Sequence, residues 1–432
     1  MKRLGLGRII GVALALAILP AGRAQATQPL DAFLDRAKTQ SFDAREATAT
    51  VQQRSLEADA TLGRLLPVFS ARGVYTRNQY EAAVQLPGTA TKLVITPLNQ
   101  LDAFLQLDVP IVDLASYHRY KASSALAESA TEQKSATTID VSRSVARSYY
   151  QFLGADALVR SAQESIKAAE ANLKNVDDRR AAGAATDLDH ERAAASVARA
   201  EQDLADAELG SALAGRALET LSGLAPEPAD GFPEDDLRSE GTLGNWLSLA
   251  ATAPSQRVAQ KLGEAAEQNR KAASRALLPT LTGSAQERVT NATGFSGRNS
   301  AYTLQLILAW KLDYGTIASN DAQSAALDVQ RVRVERTKRG AEDAAFEAFR
   351  RVEAGVAKSR AATAQAKAAT RAATLSSDRY AAGVATQLDV TQAQRDAFLA
   401  VAAKIQADAD LAFARASLRL AAGVPLTDRR PR

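Results

Sequence analysis

Cysteine is absent from this 432-residue chain, and histidine nearly so. Without cysteine there are no disulfides, no thiolate nucleophile and no lipid-carrying cysteine behind an export signal. The two histidines, His118 and His190, lie far apart without a second histidine at metal-ligand spacing, so each is expected on a helix surface. Phosphate-cradling glycine motifs and a nucleophilic serine elbow are also missing. We therefore expect no catalytic residues, no metal and no cofactor.

Long apolar runs are lacking except near the start. Basic residues precede an apolar run from Ile9 to Leu19, and Ala24-Gln25-Ala26 follows with the small-x-small pattern of signal-peptidase sites. The run is shorter than the roughly 20 residues that a membrane-spanning helix needs, which disfavours the alternative of a permanent N-terminal anchor. Residues 1–26 are thus predicted to be a signal peptide that directs export, without lipidation.

An excess of one charge sign is lacking as well. The net charge of +4 comes from four basic residues in the leader, and the rest of the chain holds 49 basic and 49 acidic residues. Because the two signs are interspersed, the chain offers no electrostatic footprint for nucleic acid and no polybasic patch for a membrane surface.

An internal repeat organises the chain. The segment Arg179–Asp189 recurs as Arg379–Asp389 at an offset of 200 residues, whereas Leu65-Leu66-Pro67 recurs as Leu277-Leu278-Pro279 at an offset of 212. The first copy therefore carries about 12 extra residues, which fall around Gln79 to Gln100, where prolines favour a turn over a strand.

Each copy predicts a helix, two strands, a very long helix, a turn and a returning helix. Proline is absent from Leu114 to Arg180, and a similar stretch runs from Gly315 to Arg379. At about 1.5 Å per residue each rod would be near 100 Å long. Apolar residues at a spacing of seven indicate a coiled-coil seam in the first rod; they are Val145, Phe152, Val159, Ile166 and Leu173.

Shorter helices are expected to pair end to end along these rods. They are predicted over Leu30–Leu66, Thr186–Ser222, Leu243–Leu277 and Thr386–Ala422. The first copy is thus assigned to residues 27–222, a proline-rich equatorial connection to 223–242, the second copy to 243–423, and a C-terminal tail to 424–432.

Four strands are expected, at about 68–78, 101–112, 280–291 and 301–312. The second and fourth alternate apolar and polar residues over about eleven positions, as in outer-membrane barrel strands, and Tyr302 and Trp310 suit the interfacial girdles. The alternative is half-buried strands of a soluble sandwich. Four strands cannot close a barrel, and an open edge in lipid is costly, so the chain must oligomerise. Eight strands from two chains or twelve from three would both close.

The repeat, with an Arg-x-x-x-Gly-x-x-Thr-x-Leu-Asp turn in each copy, resembles the TolC or outer membrane efflux protein family over nearly the whole mature chain. The resemblance implies a mainly α fold with a membrane β-barrel. It implies a homotrimer with a 12-stranded barrel in the outer membrane lipid and an α-helical periplasmic tunnel. Such proteins dock on a periplasmic adaptor (membrane fusion protein) and an inner-membrane transporter, and pass drugs, small molecules or proteins outward.

By this resemblance the turns at 181–185 and 381–385 are the periplasmic tips of the helical hairpins. Arg179, Gly183, Arg379 and Gly383 become candidate adaptor-docking residues; the alternative is that the glycines only permit the sharp reversal.

The resemblance also implies a gate at the tunnel entrance. It places the carboxylates Asp189 and Asp389 there, where a symmetric ring favours cations; the alternative is a first-turn helix cap. Tyr380 matches a gate tyrosine of some relatives. The sequence departs from the family where a basic partner is expected, at Ala385, and at the second acidic ring position, which is Gln392. We therefore expect a less acidic, differently latched entrance.

Two other functions remain open from the sequence. A type I protein-secretion outlet uses the same fold for polypeptide cargo. A periplasmic coiled-coil scaffold or adaptor also carries helical hairpins, but would not need two repeated strand pairs.

Overall fold

A computed structural model describes residues 28–85, 88, 92–228, 232 and 235–426. The predicted signal peptide, the last six residues of the C-terminal tail and parts of the equatorial connection lie outside the described residues.

The described chain is mainly helical with one principal sheet. Its helices are α1 Leu30–Gln40, α2 Phe42–Leu62, α3 Leu114–Ala181, α4 Asp187–Ser222, α5 Leu243–Ala250, α6 Pro254–Arg275, α7 Tyr314–Ala381 and α8 Gln387–Ala421. Its strands are β1 Val68–Arg77, β2 Ala82–Gln85, β3 Lys92–Thr96, β4 Asn99–Val112, β5 Thr280–Thr290 and β6 Ser300–Ala309.

The two long helices, α3 and α7, have 68 residues each, and both start on an aspartate cap. The Asp113 carboxylate accepts a hydrogen bond from the Ser116 amide at 2.8 Å, and Asp313 accepts one from Thr316 at 2.9 Å. At about 1.5 Å per residue each rod is roughly 100 Å long. The shorter helices pack along these rods, with α2, α4 and α6 against α3 and α6 and α8 against α7.

Two of the expected short helices are broken. The helix expected over Leu30–Leu66 is interrupted at Ser41, which has an extended backbone and accepts a hydrogen bond from the Ala44 amide at 3.3 Å. The helix expected over Leu243–Leu277 is interrupted after Ala250 and restarts at Pro254. Serine caps a new helix, and proline without its N–H favours the first helical position, so both breaks follow local chemistry.

Small side chains dominate the regularly spaced buried positions of α3 and α4. Buried residues recur every seven positions in α3 and α4; they are Ala162, Ala169 and Val176 in α3 and Ala193, Ala200 and Ala207 in α4. Of the predicted apolar seam, Val145 and Phe152 are buried, whereas Val159, Ile166 and Leu173 are half-buried. The buried positions that recur along these two helices are thus mostly alanine, and we call them the alanine seam.

Arg415 of α8 binds the equatorial connection through several hydrogen bonds. Arg415 donates to the carboxylate of Asp235 at 2.7 and 2.8 Å, to Glu240 at 2.6 Å and to the Arg238 carbonyl at 2.8 Å. Leu237, Leu243 and Trp246 pack nearby on the apolar cluster around Leu411. The non-helical connection is therefore held against the rod at mid-length.

The principal sheet is antiparallel in the order β1-β4-β5-β6. It joins the strand pairs of the two copies through β4 and β5, whose register runs from Asp102 opposite Thr290 to Val112 opposite Leu281. β6 ends at Ala309, three residues before the expected 312. Trp310 lies past that end, and its indole N–H donates to the Leu277 carbonyl at 3.0 Å.

The insertion of the first copy is not the simple turn that its prolines predict. It contains a hairpin, in which Ala82–Gln85 pair with Lys92–Thr96. Lys92 also reaches the Glu81 carboxylate at 3.2 Å. The prediction was wrong because Pro97 lies outside the paired residues, which leaves the β-favouring run Leu93-Val94-Ile95 free to form a strand.

Candidate functional site

After each long helix the chain reverses direction at a glycine. Gly183 has φ of 72° and Gly383 has φ of 78°, in the left-handed region that favours glycine. In the first tip the Ala184 amide donates to the Arg179 carbonyl at 2.7 Å; in the second the Val384 amide donates to the Arg379 carbonyl at 2.9 Å. The two tips are therefore built alike, and their glycines are required by the turn itself.

The carboxylates of Asp189 and Asp389 both close capping boxes. Thr186 Oγ1 donates to Asp189 Oδ2 at 2.7 Å while the Asp189 amide donates back at 3.2 Å, and Thr386 and Asp389 repeat this at 2.7 and 3.3 Å. The side-chain hydrogen bond from Thr186 lowers the pKa of Asp189, and the backbone hydrogen bond from Thr386 lowers the pKa of Asp389. Both groups therefore stay ionised at neutral pH and lie at the starts of α4 and α8.

Arg179 joins the first tip to the second. Its guanidinium donates to the carbonyl oxygens of Tyr380 and of Ala381, the latter at 3.2 Å, and lies 4.6 Å from the centroid of the Tyr380 ring. This contact spans two hairpins about 200 positions apart, so no local pattern reveals it. Arg379, the matching residue of the second copy, is exposed.

Tyr380 lies in an apolar cluster between the tips. It is only 6% exposed and packs with Val176, Ala193 and Val390, with Ala385 at the edge. Burial raises the pKa of the Tyr380 hydroxyl, with the nearby Arg179 charge opposing the rise. Ala385, where the family pattern expects a basic partner, therefore contributes to apolar packing. The cation that lies beside the Tyr380 ring is Arg179 of the other hairpin.

Gln392 is exposed one turn beyond Asp389 on α8. It lines a cleft between α4 and α8 together with Arg192, Arg199, Arg395 and Asp396. Charges of both signs line this cleft. Because Gln392 stands where the family resemblance places an acidic residue, the cleft has no excess of negative charge.

The sheet has one apolar and one polar face. Along β4 the exposed Leu101, Leu105 and Leu107 alternate with the less exposed Asp102, Gln106 and Asp108. On β6 the apolar face is continued by Leu304, Leu306 and Leu308. Tyr302 and Trp310 are 78% and 68% exposed near opposite ends of β6. Their role in interfacial aromatic girdles stays a prediction.

Both outer strands of the principal sheet lack a second neighbour within the described residues, since β1 and β6 form its edges. An exposed edge offers unpaired N–H and C=O groups to another strand. The apolar face and the two open edges together indicate a sheet that pairs with the sheets of other molecules of this chain.

No helix among the described residues is apolar enough over sufficient length to cross a membrane. In the same part of the chain no three acidic, histidine or cysteine side chains gather in a way that could hold a metal ion.

Solved structures share this architecture. A membrane protein from Pseudomonas aeruginosa is 21% identical, with a TM-score of 0.79 and coverage of 93% of this chain and 92% of that one. The outer membrane channel CmeC of Campylobacter jejuni is 15% identical, with a TM-score of 0.78 and coverage of 98% and 94%. The expected fold class is thereby confirmed.

Sequence comparison gives the family. The pyoverdine export outer membrane protein OpmQ of Pseudomonas aeruginosa is 28% identical over 394 residues, which cover 87% of this chain and 81% of that protein. The profile of the family described as outer membrane efflux protein matches residues 33–224 and 248–424. The tip geometry, the two-faced sheet and these matches agree, and the chain belongs to the outer membrane efflux protein family.

Proposed function

We propose that three copies of this chain form a passive exit duct for small molecules, with a twelve-stranded barrel in the outer membrane and a helical tunnel in the periplasm. The observation that carries the proposal is the four-stranded sheet with an apolar face and two open edges, attached to rods of about 100 Å. Three such sheets supply twelve strands, which is more than the roughly eight strands whose interior side chains alone can fill.

The hairpin tips are the proposed docking end. They lie at the far ends of the rods from the sheet, with Gly183, Gly383 and Val384 exposed. A periplasmic adaptor would contact these tips and connect the duct to an inner-membrane transporter, which supplies the energy. Arg179 is buried against the second tip in part, so Arg379 is the better placed of the two arginines to meet a partner.

The carboxylates at the tips are the proposed entrance charges. Asp189 and Asp389 stay ionised because their hydrogen bonds to threonine lower their pKa. Repeated by threefold symmetry, they would make rings that favour cations, while also capping their helices. Small-molecule cargo is favoured by the relative OpmQ, which is named for pyoverdine export.

The test is the oligomer and its conductance. The protein extracted from outer membranes in detergent is expected to be a trimer about 140 Å long in electron micrographs, from the rods plus a bilayer of about 40 Å. It is also expected to conduct ions in planar bilayers. A matched variant with β6 residues Leu304 and Leu306 changed to Asp, which places charge on the lipid face, is expected to lose both membrane insertion and conductance. A monomer without conductance would refute the duct.

A further inference from the structure

One row of side chains on the polar face of the sheet places two arginines beside a phenylalanine. The strand register sets Arg72 of β1 opposite Phe104 of β4, and Phe104 opposite Arg288 of β5. The Arg72 guanidinium carbon lies 4.8 Å from the Phe104 ring centroid, and that of Arg288 lies 5.8 Å from it. Both distances lie within the range of cation–π attraction.

This row lies on the face opposite the lipid-facing leucines. Phe104 alternates with the exposed Leu101, Leu105 and Leu107 of β4, and the outward partners of the last two on β1 are Ala71 and Phe69. In the proposed barrel, the polar face lines the lumen, and the row reaches the water-filled interior.

One of the two arginines has its charge compensated and the other does not. Arg288 donates from two nitrogens to Asp102 Oδ1, at 2.9 and 2.7 Å. Among the described residues Arg72 has no ion pair. In the proposed trimer the strand next to β1 is β6 of the neighbouring chain. This strand, Ser300–Ala309, contains no charged residue. The Arg72 charge therefore stays uncompensated in the assembly.

The other charge on the polar face of these strands is distant. Asp108 lies opposite Val68 of β1, four residues nearer the helices than Arg72. The uncharged Gln106 side chain donates to both carboxylate oxygens of Asp108 at 2.9 Å. Four residues of strand span about 13 Å, which exceeds a Debye length of about 8 Å at physiological salt. The positive and negative rows therefore act on solutes separately.

We propose that the three Arg72–Phe104–Arg288 rows of the trimer form an anion-attracting ring inside the barrel, farther from the helices than Asp108. The inference rests on the proposed duct. The ring is suited to small anionic solutes that carry a carboxylate, because the guanidinium fork matches that group and the Phe104 ring offers a flat apolar surface beside it. It adds an anion preference inside the barrel to the acidic entrance at the tips.

The absence of cysteine makes a direct test practicable. Arg72→Cys channels are assembled in planar bilayers and labelled with a methanethiosulfonate reagent that carries either a trimethylammonium or a sulfonate group. The control is Arg77→Cys, an arginine of the same strand whose register position opposite Asn99 lies on the other face. Labelling after assembly changes the sign of the charge without refolding the protein.

The readout is the anion-to-cation permeability ratio, taken from the reversal potential in a potassium chloride gradient. In Arg72→Cys the ammonium label is expected to give a ratio about threefold or more above that of the sulfonate label, and in Arg77→Cys the two labels are expected to give the same ratio. Equal ratios for the two labels in Arg72→Cys, or an equal difference at both positions, would overturn the ring. A wild-type protein without channels would instead refute the duct itself.

Discussion

Arg179 and Arg180 are neighbours in sequence but stabilise different parts of the tip. Arg179 reaches the second hairpin and donates to the carbonyls of Tyr380 and Ala381. Arg180 stays within its own hairpin and contacts the Asp187 carboxylate at 2.7 Å. Loss of the first arginine therefore affects the contact between hairpins, and loss of the second affects only one turn.

We expect Arg179→Ala to loosen the two tips and raise the open probability of single channels, because two hydrogen bonds and a cation–π contact are lost. Each of these interactions contributes on the order of 1 kcal/mol. Arg180→Ala is the control and is expected to leave the open probability unchanged. An equal rise in both variants would show that Arg179 does not act across the hairpins.

The capping carboxylates predict a pH dependence of the tips. Hydrogen bonds lower the pKa of Asp189 and Asp389 below the ordinary value of 3.8. Because folding lowers the pKa of these carboxylates, their ionisation stabilises the folded protein at every pH above their ordinary pKa. This stabilisation is lost as the pH falls through the lowered pKa of the folded protein. We expect amide exchange at the starts of α4 and α8 to accelerate below about pH 4, after correction for intrinsic rates.

The double variant Asp189→Asn and Asp389→Asn is the comparison for this pH effect. Its tips are expected to exchange faster at neutral pH and to show no further acceleration below about pH 4. If the wild-type protein and the variant respond alike to acid, the capping boxes do not hold these helix starts.

At the level of elements, the alanine seam is the set of buried positions that recur every seven residues along α3 and α4. We expect Ala200→Leu to destabilise the protein by about 1–3 kcal/mol, because a larger side chain overpacks a buried position. The exposed Ala198 of the same helix provides the control Ala198→Leu, which is expected to change little. Thermal unfolding followed by circular dichroism distinguishes the two, and equal losses would contradict the seam.

The extent of the long helices and the alternation of β4 and β6 follow from patterns within a few neighbouring residues. These could therefore be predicted from the sequence. The alanine seam could not, because alanine is common on both buried and exposed faces of these helices. The bridge from Arg179 to Tyr380 could not either, since it depends on the packing of hairpins distant in sequence. The β2–β3 hairpin was missed because prolines outside its paired residues dominated the local pattern.

At the level of the whole molecule, the two copies differ where they project beyond the principal sheet. The first copy has the β2–β3 hairpin between β1 and β4, whereas the second joins β5 to β6 through a short turn at Gly294–Ser296. The pairing of β1 with β4 continues unbroken to Arg77 and Asn99, before the residues of the hairpin begin. The insertion is thus an addition beyond the end of the ladder that β1 and β4 form.

We expect replacement of residues 79–97 by Asn-Gly to leave the trimer intact, because this two-residue turn suits adjacent antiparallel strands. Migration of unheated and heated samples in gels measures assembly. Deletion of Gly73 within β1 is the contrasting variant and is expected to abolish assembly, since a shift by one residue exchanges the lipid and lumen faces. Failure of the first variant alone would assign the hairpin a role in folding.

The unpaired edges of β1 and β6 also have a genetic consequence. A chain in which one edge strand is damaged can still pair its intact edge strand with a normal neighbour. It therefore draws normal chains into assemblies whose barrel does not close. When damaged and normal chains are made in equal amounts, only about one eighth of the trimers contain normal chains alone. Lesions in these strands are therefore expected to be dominant in a cell that carries both alleles, whereas lesions that prevent export are expected to be recessive.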